Sequence, residues 1–334
     1  MKTIQWGIIG CGDVTEVKSG PAFNKVPNSK LVAVMRRNAE KAEDYARRHG
    51  VPKWYTDARQ LIDDPEVNAI YIATPPQQHE EYAIAALRAG KPVYVEKPMA
   101  LNFEGAERMR KVSEETGVKL AVAHYRREHA LFREVKELLD ANAIGEVRLV
   151  ILRLLQPHRS KMITKTPDNW RTNPEVSGGG LFHDLAPHQL DLMLHFFGPV
   201  KQAHGMALNQ GNYYPADDLV SGNILFKNDV LFTGTWCFTV PEGQAEDSVE
   251  IIGAEGSIAF SVFEQGSLVL VREDEVEEFT FEKLDHLQQP MIEKVTAYFL
   301  DKGPNPCPAC DGVEIMRLLD VFTKKQPEPA LSKA

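Results

Sequence analysis

The chain has 334 residues, of which 43% are hydrophobic and 25% charged, the composition of an ordinary globular protein with room for two domains. Its 38 lysines and arginines against 47 aspartates and glutamates give a net charge of -9. That balance argues against nucleic acid or an anionic membrane as the main partner, because both require a basic surface. No apolar run reaches the length of a membrane span, and the N-terminus is typical of a first strand and not of a signal peptide. We therefore predict a cytoplasmic protein.

Two of the four cysteines, Cys307 and Cys310, form a C-x-x-C motif. Such a pair can be a redox couple or one half of a zinc site. The second C-x-x-C that a zinc ribbon requires is absent from the sequence, and the pair lies in a proline-rich segment near the chain end. We interpret the motif as an ordinary loop and predict no metal.

The first 125 residues alternate between strand-like and helical segments. The strand-like segments are residues 4–9, 31–35, 69–73, 92–95 and 119–123, and the helical ones include 39–49, 80–89 and 104–116. This alternation predicts a parallel sheet with helices on both faces, in which ligands bind beyond the carboxyl ends of the strands. We predict an α/β protein with a Rossmann dinucleotide-binding domain over residues 1–124.

Residues 125–334 are predicted to form a second α/β domain with a large, open and mostly antiparallel sheet. Helices are expected near residues 128–140, 181–197, 289–301 and 312–322, and strands near 147–155, 199–207, 218–227, 229–240, 247–252 and 256–262. Phe232, Trp236, Phe238 and Val240 alternate with small or polar residues, so one sheet face should pack on helices. The other face could pack against a second subunit, and we expect a homodimer or homotetramer.

The stretch Gly10-Cys11-Gly12-Asp13-Val14 directly follows the first predicted strand. It begins the G-x-G-x-x-G dinucleotide fingerprint, with Thr15 in place of the third glycine. The first glycine permits a tight turn, and the second lets the backbone approach a pyrophosphate at the helix N-terminus. The motif is weak alone, but its position in a β-α-β unit supports a cofactor site.

The second predicted strand ends at Met35 and is followed by Arg36, Arg37 and Asn38. An NAD-binding chain usually places an acidic residue here for the ribose 2′-hydroxyl, and none is present. Arginine suits the 2′-phosphate of NADP(H), because it forms charge-assisted bonds to phosphate. We therefore predict a preference for NADP(H) over NAD(H). The alternatives are that both arginines are solvated, or that one of them stacks on the adenine.

Three further motifs complete a pattern: Ala73-Thr74-Pro75-Pro76 with His79, Glu96-Lys97-Pro98, and the segment from Gly178 to Asp184 that leads to His188. Together with the glycine loop, they resemble the glucose-fructose oxidoreductase / inositol dehydrogenase / MocA (Gfo/Idh/MocA) family over nearly the whole length. The resemblance implies a nicotinamide-dependent oxidoreductase that acts on a sugar, polyol or related hydroxy or carbonyl compound.

The resemblance also assigns catalytic roles to Lys97, Asp184 and His188. The lysine would hydrogen-bond the reacting oxygen, the carboxylate would orient, and the histidine would act as general acid/base. Elementary chemistry agrees, because hydride transfer from a carbinol leaves a proton to remove and an ammonium stabilises alkoxide character. Asp184 and His188 are four residues apart on a predicted helix and so share one face.

Other residues are expected to complete the cofactor site. Thr74 and Pro75 end a strand at the ligand edge and should border the nicotinamide, although Pro76 replaces the asparagine that is frequent in the family. His79 is expected to cap the next helix or to touch the cofactor. Glu96 is expected to contact the cofactor or to restrain Lys97.

Substrate contacts are expected from two segments. Tyr125 and Arg126 follow the fifth strand, where this family often lines its substrate pocket. Trp170 and Arg171 resemble a family Trp-Arg pair, with packing as the alternative role of Trp170.

Three rival hypotheses stay open. Asp184, His188, Asp191 and His195 share a helical face and could ligate a metal, but one helix cannot surround an ion alone. The chain could also be an NAD-dependent glycosidase-like hydrolase, in which hydride leaves and returns, or a non-catalytic protein that senses the cofactor.

Overall fold

The computed structural model describes residues 2–160, 169–264, 266–273 and 275–323. In these ranges, six parallel strands form a first sheet in the order β3-β2-β1-β4-β5-β6. The strands are β1 (Ile4–Ile9), β2 (Ser29–Met35), β3 (Lys53–Tyr55), β4 (Ala69–Ile72), β5 (Val93–Val95) and β6 (Leu120–Val122). The helices are α1 (Asp13–Val17), α2 (Ala39–His49), α3 (Ala58–Asp63), α4 (His79–Arg88) and α5 (Phe103–Thr116).

The predicted Rossmann arrangement is confirmed. The strand order reverses between β1 and its neighbours β2 and β4, which creates the crevice where such sheets bind ligands. The sequence prediction omitted β3 and α3. Strand β3 is only three residues long and sits half-exposed at the sheet edge, so it has no apolar periodicity to detect.

In the same described ranges, eight strands form a second sheet in the order β14-β13-β12-β11-β7-β10-β9-β8. The strands are β7 (Val147–Leu155), β8 (Val200–Leu208), β9 (Leu219–Phe226), β10 (Leu231–Cys237), β11 (Glu246–Gly253), β12 (Gly256–Phe260), β13 (Ser267–Arg272) and β14 (Glu275–Thr280). All pairings are antiparallel except that of β7 with β10, which confirms a mostly antiparallel sheet. Strands β13 and β14 were not predicted. The outer one, β14, is largely exposed and rich in glutamate, which hides the pattern of a buried face.

Five more helices accompany this sheet in the described ranges. They are α6 (Ala130–Asp140), α7 (Pro174–Ser177), α8 (Gly180–Phe197), α9 (Gln289–Phe299) and α10 (Ala309–Thr323). The predicted inner face of β10 is correct for Phe232 and Trp236, which are fully buried, and the Trp236 ring lies 5.0 Å from Phe182 of α8. Helix α10 contacts both α5 and β8, so it joins the two sheets. Nowhere in the described ranges is a helix both long enough and apolar enough to cross a membrane.

The C-x-x-C motif lies where the chain enters α10. Cys307 is fully buried, and its carbonyl oxygen accepts a hydrogen bond from the backbone of Val122 at 3.1 Å, whereas Cys310 is exposed. The segment therefore packs along the edge of the first sheet.

Candidate active site

A cleft of about 1110 Å³ lies at the carboxyl ends of β1, β4 and β5, between the first sheet and α8. We call the part near Gly10 and Arg36 the nucleotide end, and the part near Lys97 and His188 the substrate end. With one exception, every site residue predicted from the sequence lines this cleft. They are Gly10, Cys11, Gly12, Asp13, Val14, Arg36, Arg37, Thr74, Pro75, Glu96, Lys97, Tyr125, Arg126, Trp170, Arg171, Asp184 and His188.

At the nucleotide end, the glycine loop brings the backbone to the cleft wall. Gly10 has a φ of +94°, and a Cβ there would lie 2.7 Å from the backbone nitrogen of Thr74, so only glycine fits. A Cβ on Gly12 would meet no atom nearer than 3.9 Å, which leaves open space above the backbone. Gly12 is also the N-cap of α1, whose first amides lack helical partners and can face an anion.

Thr15, which replaces the third glycine of the fingerprint, is fully buried beneath this loop. Its hydroxyl donates to the carbonyl oxygen of Gly12 at 2.8 Å, and its own carbonyl accepts from the Tyr45 hydroxyl at 2.8 Å. The threonine therefore ties the loop to α2 by hydrogen bonds where a glycine would allow only close packing.

Three cations border the cleft where β2 ends. Arg36, Arg37 and Lys41 all line this wall, and the described lining between residues 35 and 41 contains no carboxylate. The Nη1 atom of Arg36 donates to the Cys11 carbonyl oxygen at 3.1 Å, which holds the side chain over the glycine loop. Arg37 is exposed. Lys41 was not predicted, because a lysine in the first turn of an amphipathic helix looks like any solvated residue.

His79 is the exception and corrects a sequence prediction. Its ring is fully buried and does not line the cleft, and the cap position of α4 belongs to Gln78. Nε2 lies 2.8 Å from the Thr74 carbonyl oxygen, and Nδ1 lies 2.9 Å from that of Pro98. Burial lowers the pKa of His79 to about 4, so the neutral ring can donate to one of the two carbonyls. The ring connects the loops after β4 and β5 instead of meeting the cofactor or capping the helix.

At the substrate end, Asp184 lies between two cations. The Lys97 ammonium donates to its Oδ1 at 2.8 Å and to its backbone oxygen at 2.7 Å, and Arg171 Nε is 3.1 Å from its Oδ2. Burial alone would raise the pKa of Asp184, but the Lys97 and Arg171 charges outweigh it, so the pKa falls below its ordinary value. The carboxylate therefore pairs with both Lys97 and Arg171, and no hydrogen bond joins it to His188 in the described residues.

His188 lies one helical turn further along the same wall of the cleft. Only 5% of the residue is exposed, and its Nδ1 is buried with no hydrogen-bond partner in the described ranges. Burial, followed by the charges of Lys97 and Arg126, lowers its pKa well below the ordinary value of histidine. The imidazole is therefore neutral at neutral pH and can accept a proton.

The Glu96 carboxylate accepts hydrogen bonds from residues that the sequence analysis did not predict. Its Oε1 accepts from the Tyr71 hydroxyl and from Gln288 Nε2, each at 2.5 Å, while Oε2 accepts from the Lys97 backbone at 3.2 Å. Gln288 is fully buried and also accepts from the Tyr94 hydroxyl at 3.2 Å. It comes from the start of α9, 192 positions away in sequence, so no local signal could have found it.

Aromatic rings and guanidinium groups form the remaining walls of the substrate end. The Tyr125 ring meets that of His188 edge-on at 5.2 Å. The guanidinium carbon of Arg126 lies 4.7 Å from the centre of the Phe263 ring, and that of Arg171 lies 4.6 Å from Trp170. Phe263 was not predicted, since it sits in the turn after β12 and is brought here only by the packing of the second sheet.

The four-residue metal hypothesis does not match these contacts. Asp191, one turn beyond His188, is buried and forms a bidentate pair with Arg127, whose Nη2 lies 2.6 Å from Oδ1. Asp184 is engaged by Lys97 and Arg171. In the described residues, no group of three or more His, Cys, Asp or Glu side chains is placed to hold a metal ion.

Comparison with known proteins agrees with this geometry. The model of an oxidoreductase family with an NAD-binding Rossmann fold matches residues 4–124, and that of the GFO/IDH/MocA C-terminal domain matches residues 132–259. The chain belongs to the Gfo/Idh/MocA family of oxidoreductases. It is 47% identical to an oxidoreductase named P35 from Formosa agariphila, over 96% of this chain and 98% of the other.

Two more distant similar proteins have names from sugar chemistry. A 1,5-anhydro-D-fructose reductase from Ensifer adhaerens is 30% identical over 76% of this chain and 74% of its own. The crystal structure of an aldose-aldose oxidoreductase from Caulobacter crescentus has the same fold, with a TM-score of 0.82 and 21% identity over 95% of this chain and 96% of that one.

Proposed function

We propose that this oxidoreductase transfers hydride between NADP(H) and a CH–OH or C=O group of a sugar, polyol or related compound. The observation that carries the proposal is the pairing of Lys97 with Asp184 at 2.8 Å, beside a neutral His188, at the reversal point of the Rossmann sheet. The relative named 1,5-anhydro-D-fructose reductase supports the same substrate class.

The residues at the nucleotide end fit a dinucleotide. Gly10 and Gly12 bring the backbone to the cleft, and Arg36, Arg37 and Lys41 offer three positive charges for a 2′-phosphate. Thr74 and Pro75 line the cleft between this end and Lys97, where the nicotinamide would lie. When bound, NADP(H) supplies or accepts the hydride.

The substrate oxygen would bind Lys97 and His188. The lysine ammonium has three N–H donors, of which two go to Asp184, so one remains for the substrate oxygen. Asp184 acts as a positioning residue, because its bonds to Lys97 fix the direction of that third donor. A positive charge beside the oxygen stabilises alkoxide character as hydride moves.

His188 would hold or release the proton. In the oxidation direction, the neutral imidazole accepts the hydroxyl proton while hydride leaves the carbon. Burial beside Lys97 keeps the ring neutral, which prepares it for that step. Tyr125, Arg126, Trp170 and Arg171 would surround the rest of the substrate.

A parallel titration with NADPH and NADH, followed by nicotinamide fluorescence, tests the cofactor assignment. We expect NADPH to bind at least about tenfold more tightly, because one charge-assisted bond to phosphate is worth roughly that much. The Arg36→Gln/Arg37→Gln double variant should lose the preference, while Arg47→Gln on the exposed face of α2 should keep it. Equal or tighter binding of NADH by the natural chain would overturn the assignment.

Reaction stoichiometry separates the oxidoreductase from its rivals. A dehydrogenase reduces one NADP⁺ for each substrate that it oxidises, whereas a glycosidase-like hydrolase releases free sugar with no net change in cofactor. A cofactor-sensing protein would bind NADPH and turn over no member of a panel of polyols, aldoses and dicarbonyls. The described contacts of Lys97, Asp184 and His188 favour the first outcome.

We also propose that the chain forms a homodimer or homotetramer through the half-exposed face of the second sheet. Leu149, Ile151 and Val269 lie on that face and are only partly buried, although they are apolar. Light scattering should give a mass of at least twice the 37.4 kDa of one chain. Replacing Ile151 with aspartate should reduce that mass, and a monomeric natural protein would rule the assembly out.

A further inference from the structure

Arg126 is a buried cation that the proposed hydride transfer does not use. Only 6% of the residue is exposed, and it lines the cleft at the substrate end. Its guanidinium carbon lies 4.7 Å from the centre of the Phe263 ring and 5.7 Å from that of Tyr125. The rings contact its faces, so its edges are the parts available for polar partners.

The hydrogen bonds of Arg126 are incomplete. Nη1 donates to the Val262 carbonyl oxygen at 2.6 Å, but Nε is buried with no partner in the described ranges. In those ranges Arg126 also forms no ion pair. Asp247, whose charge acts on it, instead accepts backbone N–H groups of Phe263 and Glu264 through Oδ2, at 2.6 and 3.2 Å. A guanidinium taken out of water without an ion pair is costly, so an anionic partner is expected from outside the chain.

The carboxylates that line the substrate end cannot serve as that partner. Asp184 is held by Lys97 and Arg171, and Glu96 accepts bonds from Tyr71 and Gln288. Arg171 has an unsatisfied donor of its own, since its Nη1 is buried with no partner in the described residues. The described lining of the substrate end therefore has more positive than negative charge, in a chain whose net charge is -9.

We propose that the substrate carries a carboxylate and that Arg126 binds it, which makes the substrate a sugar acid such as a uronate or an aldonate. This inference rests on the proposed function. A planar guanidinium matches the two oxygens of a carboxylate, and Arg126 contributes a single positive charge, which equals the charge of one carboxylate. In the oxidation direction, the carbinol C–H gives hydride to NADP⁺, its hydroxyl proton passes to His188, and the product is a keto acid.

The position of Arg126 sets where the carboxylate lies relative to the reacting carbon. Tyr125, which contacts both the Arg126 guanidinium and the His188 ring, fills the space between them. The carboxylate and the carbinol should therefore belong to the same small molecule.

The experiment compares matched compounds with the natural enzyme and NADP⁺. The panel pairs D-glucose with D-glucuronate, D-galactose with D-galacturonate and sorbitol with D-gluconate, and includes glucose 6-phosphate. We expect kcat/KM for the acids to exceed that of their neutral partners by roughly tenfold to a hundredfold, the effect of a charge-assisted bond. Neutral sugars that react as well as their acids, or a phosphate ester that reacts better, would overturn the proposal.

Two variants tie the preference to Arg126. In Arg126→Met, the ratio of kcat/KM for an acid to kcat/KM for its neutral partner should fall towards one, mainly because KM for the acid rises. Arg126→Lys should give an intermediate ratio. Arg148→Met removes an exposed arginine of β7 and should keep the natural ratio. If Arg126→Met lowers kcat/KM for acids and neutral compounds equally, Arg126 is structural and the proposal fails. If the methionine variant does not fold, the lysine variant and the natural enzyme decide the matter.

Binding separates this inference from the proposed function. D-glucuronate and D-gluconate should change the fluorescence of NADPH bound to the natural enzyme, and should have a smaller effect on Arg126→Lys at the same concentration. Turnover of neutral sugars alone would support the proposed function and exclude the carboxylate assignment. Arg126-dependent binding of the acids without any turnover would support the carboxylate site and exclude the proposed function. No effect of either acid on fluorescence or turnover would overturn the carboxylate site.

Discussion

The two ends of the cleft are built in different ways. The nucleotide end comes from one continuous β-α-β unit and presents backbone groups and solvated cations such as Arg37. The substrate end gathers largely buried side chains from the first sheet and from the helical segment between β7 and β8. Lys97 follows β5, Arg126 follows β6, Arg171 precedes α7 and Asp184 lies on α8. A local motif can encode the first kind of site, whereas the second exists only after the two sheets have packed.

The difference also predicts how each end responds to substitution. The solvated arginines at the nucleotide end should act nearly independently, because water screens them from their neighbours. Lys97, Asp184 and Arg171 share direct ion pairs in a buried position, so the loss of one leaves another uncompensated. Variants at the substrate end should therefore be strongly non-additive.

The largest effect is expected from Lys97→Met, which removes the cation beside the reacting oxygen. We expect kcat to fall by about a thousandfold or more, since an electrostatic donor of this kind is worth roughly 10²–10³ and Asp184 also loses its main partner. NADPH affinity should change little, because the glycine loop and the arginines lie at the other end. Steady-state turnover and fluorescence titration measure the two quantities.

The control for this variant is Lys30→Met, at an exposed position of β2. It should behave like the natural enzyme in both assays. The double variant Lys97→Met/Asp184→Asn should be no worse than Lys97→Met alone if the two residues act as a unit. Turnover that survives Lys97→Met would disprove the proposed mechanism.

A smaller effect, about 10²–10⁴-fold in kcat, is expected from His188→Gln, which removes the general base. The pH profile gives the sharper test. The pKa of His188 is lowered by burial, so the ring stays neutral below the ordinary pKa of histidine and loses its base function only at still lower pH. Oxidation by the natural enzyme should therefore persist below pH 6.5, the ordinary value for histidine, and the glutamine variant should lack the acid limb. An acid limb centred at or above that value would contradict the assignment.

Those two predictions concern residues that line the cleft and whose position in the fold could be predicted from the sequence, for a physical reason. Gly10, Lys97 and His188 stand at strand ends or on a helix face, where chain order alone determines their neighbourhood. The sequence could not show that Asp184 would bind Lys97 instead of His188, because the predicted positions of the three residues allow either contact. The His79 prediction failed for a related reason, since burial between two loops depends on packing that no spacing reveals.

The smallest effect tests the part of the substrate end that sequence reasoning missed. Gln288→Leu removes a donor to the buried Glu96 carboxylate and an acceptor for the Tyr94 hydroxyl. Buried groups left unsatisfied cost about 1–3 kcal/mol, so the free energy of unfolding should fall by that amount in urea, with an unchanged m-value. Because Glu96 also accepts a hydrogen bond from the Lys97 backbone at 3.2 Å, kcat should fall several-fold while NADPH affinity is kept.

Gln289→Leu, next in sequence and half-buried, is the matched control. It should leave the free energy of unfolding and kcat close to those of the natural protein. A Gln288→Leu variant that unfolds like the natural protein would show that Glu96 is satisfied by Tyr71 alone.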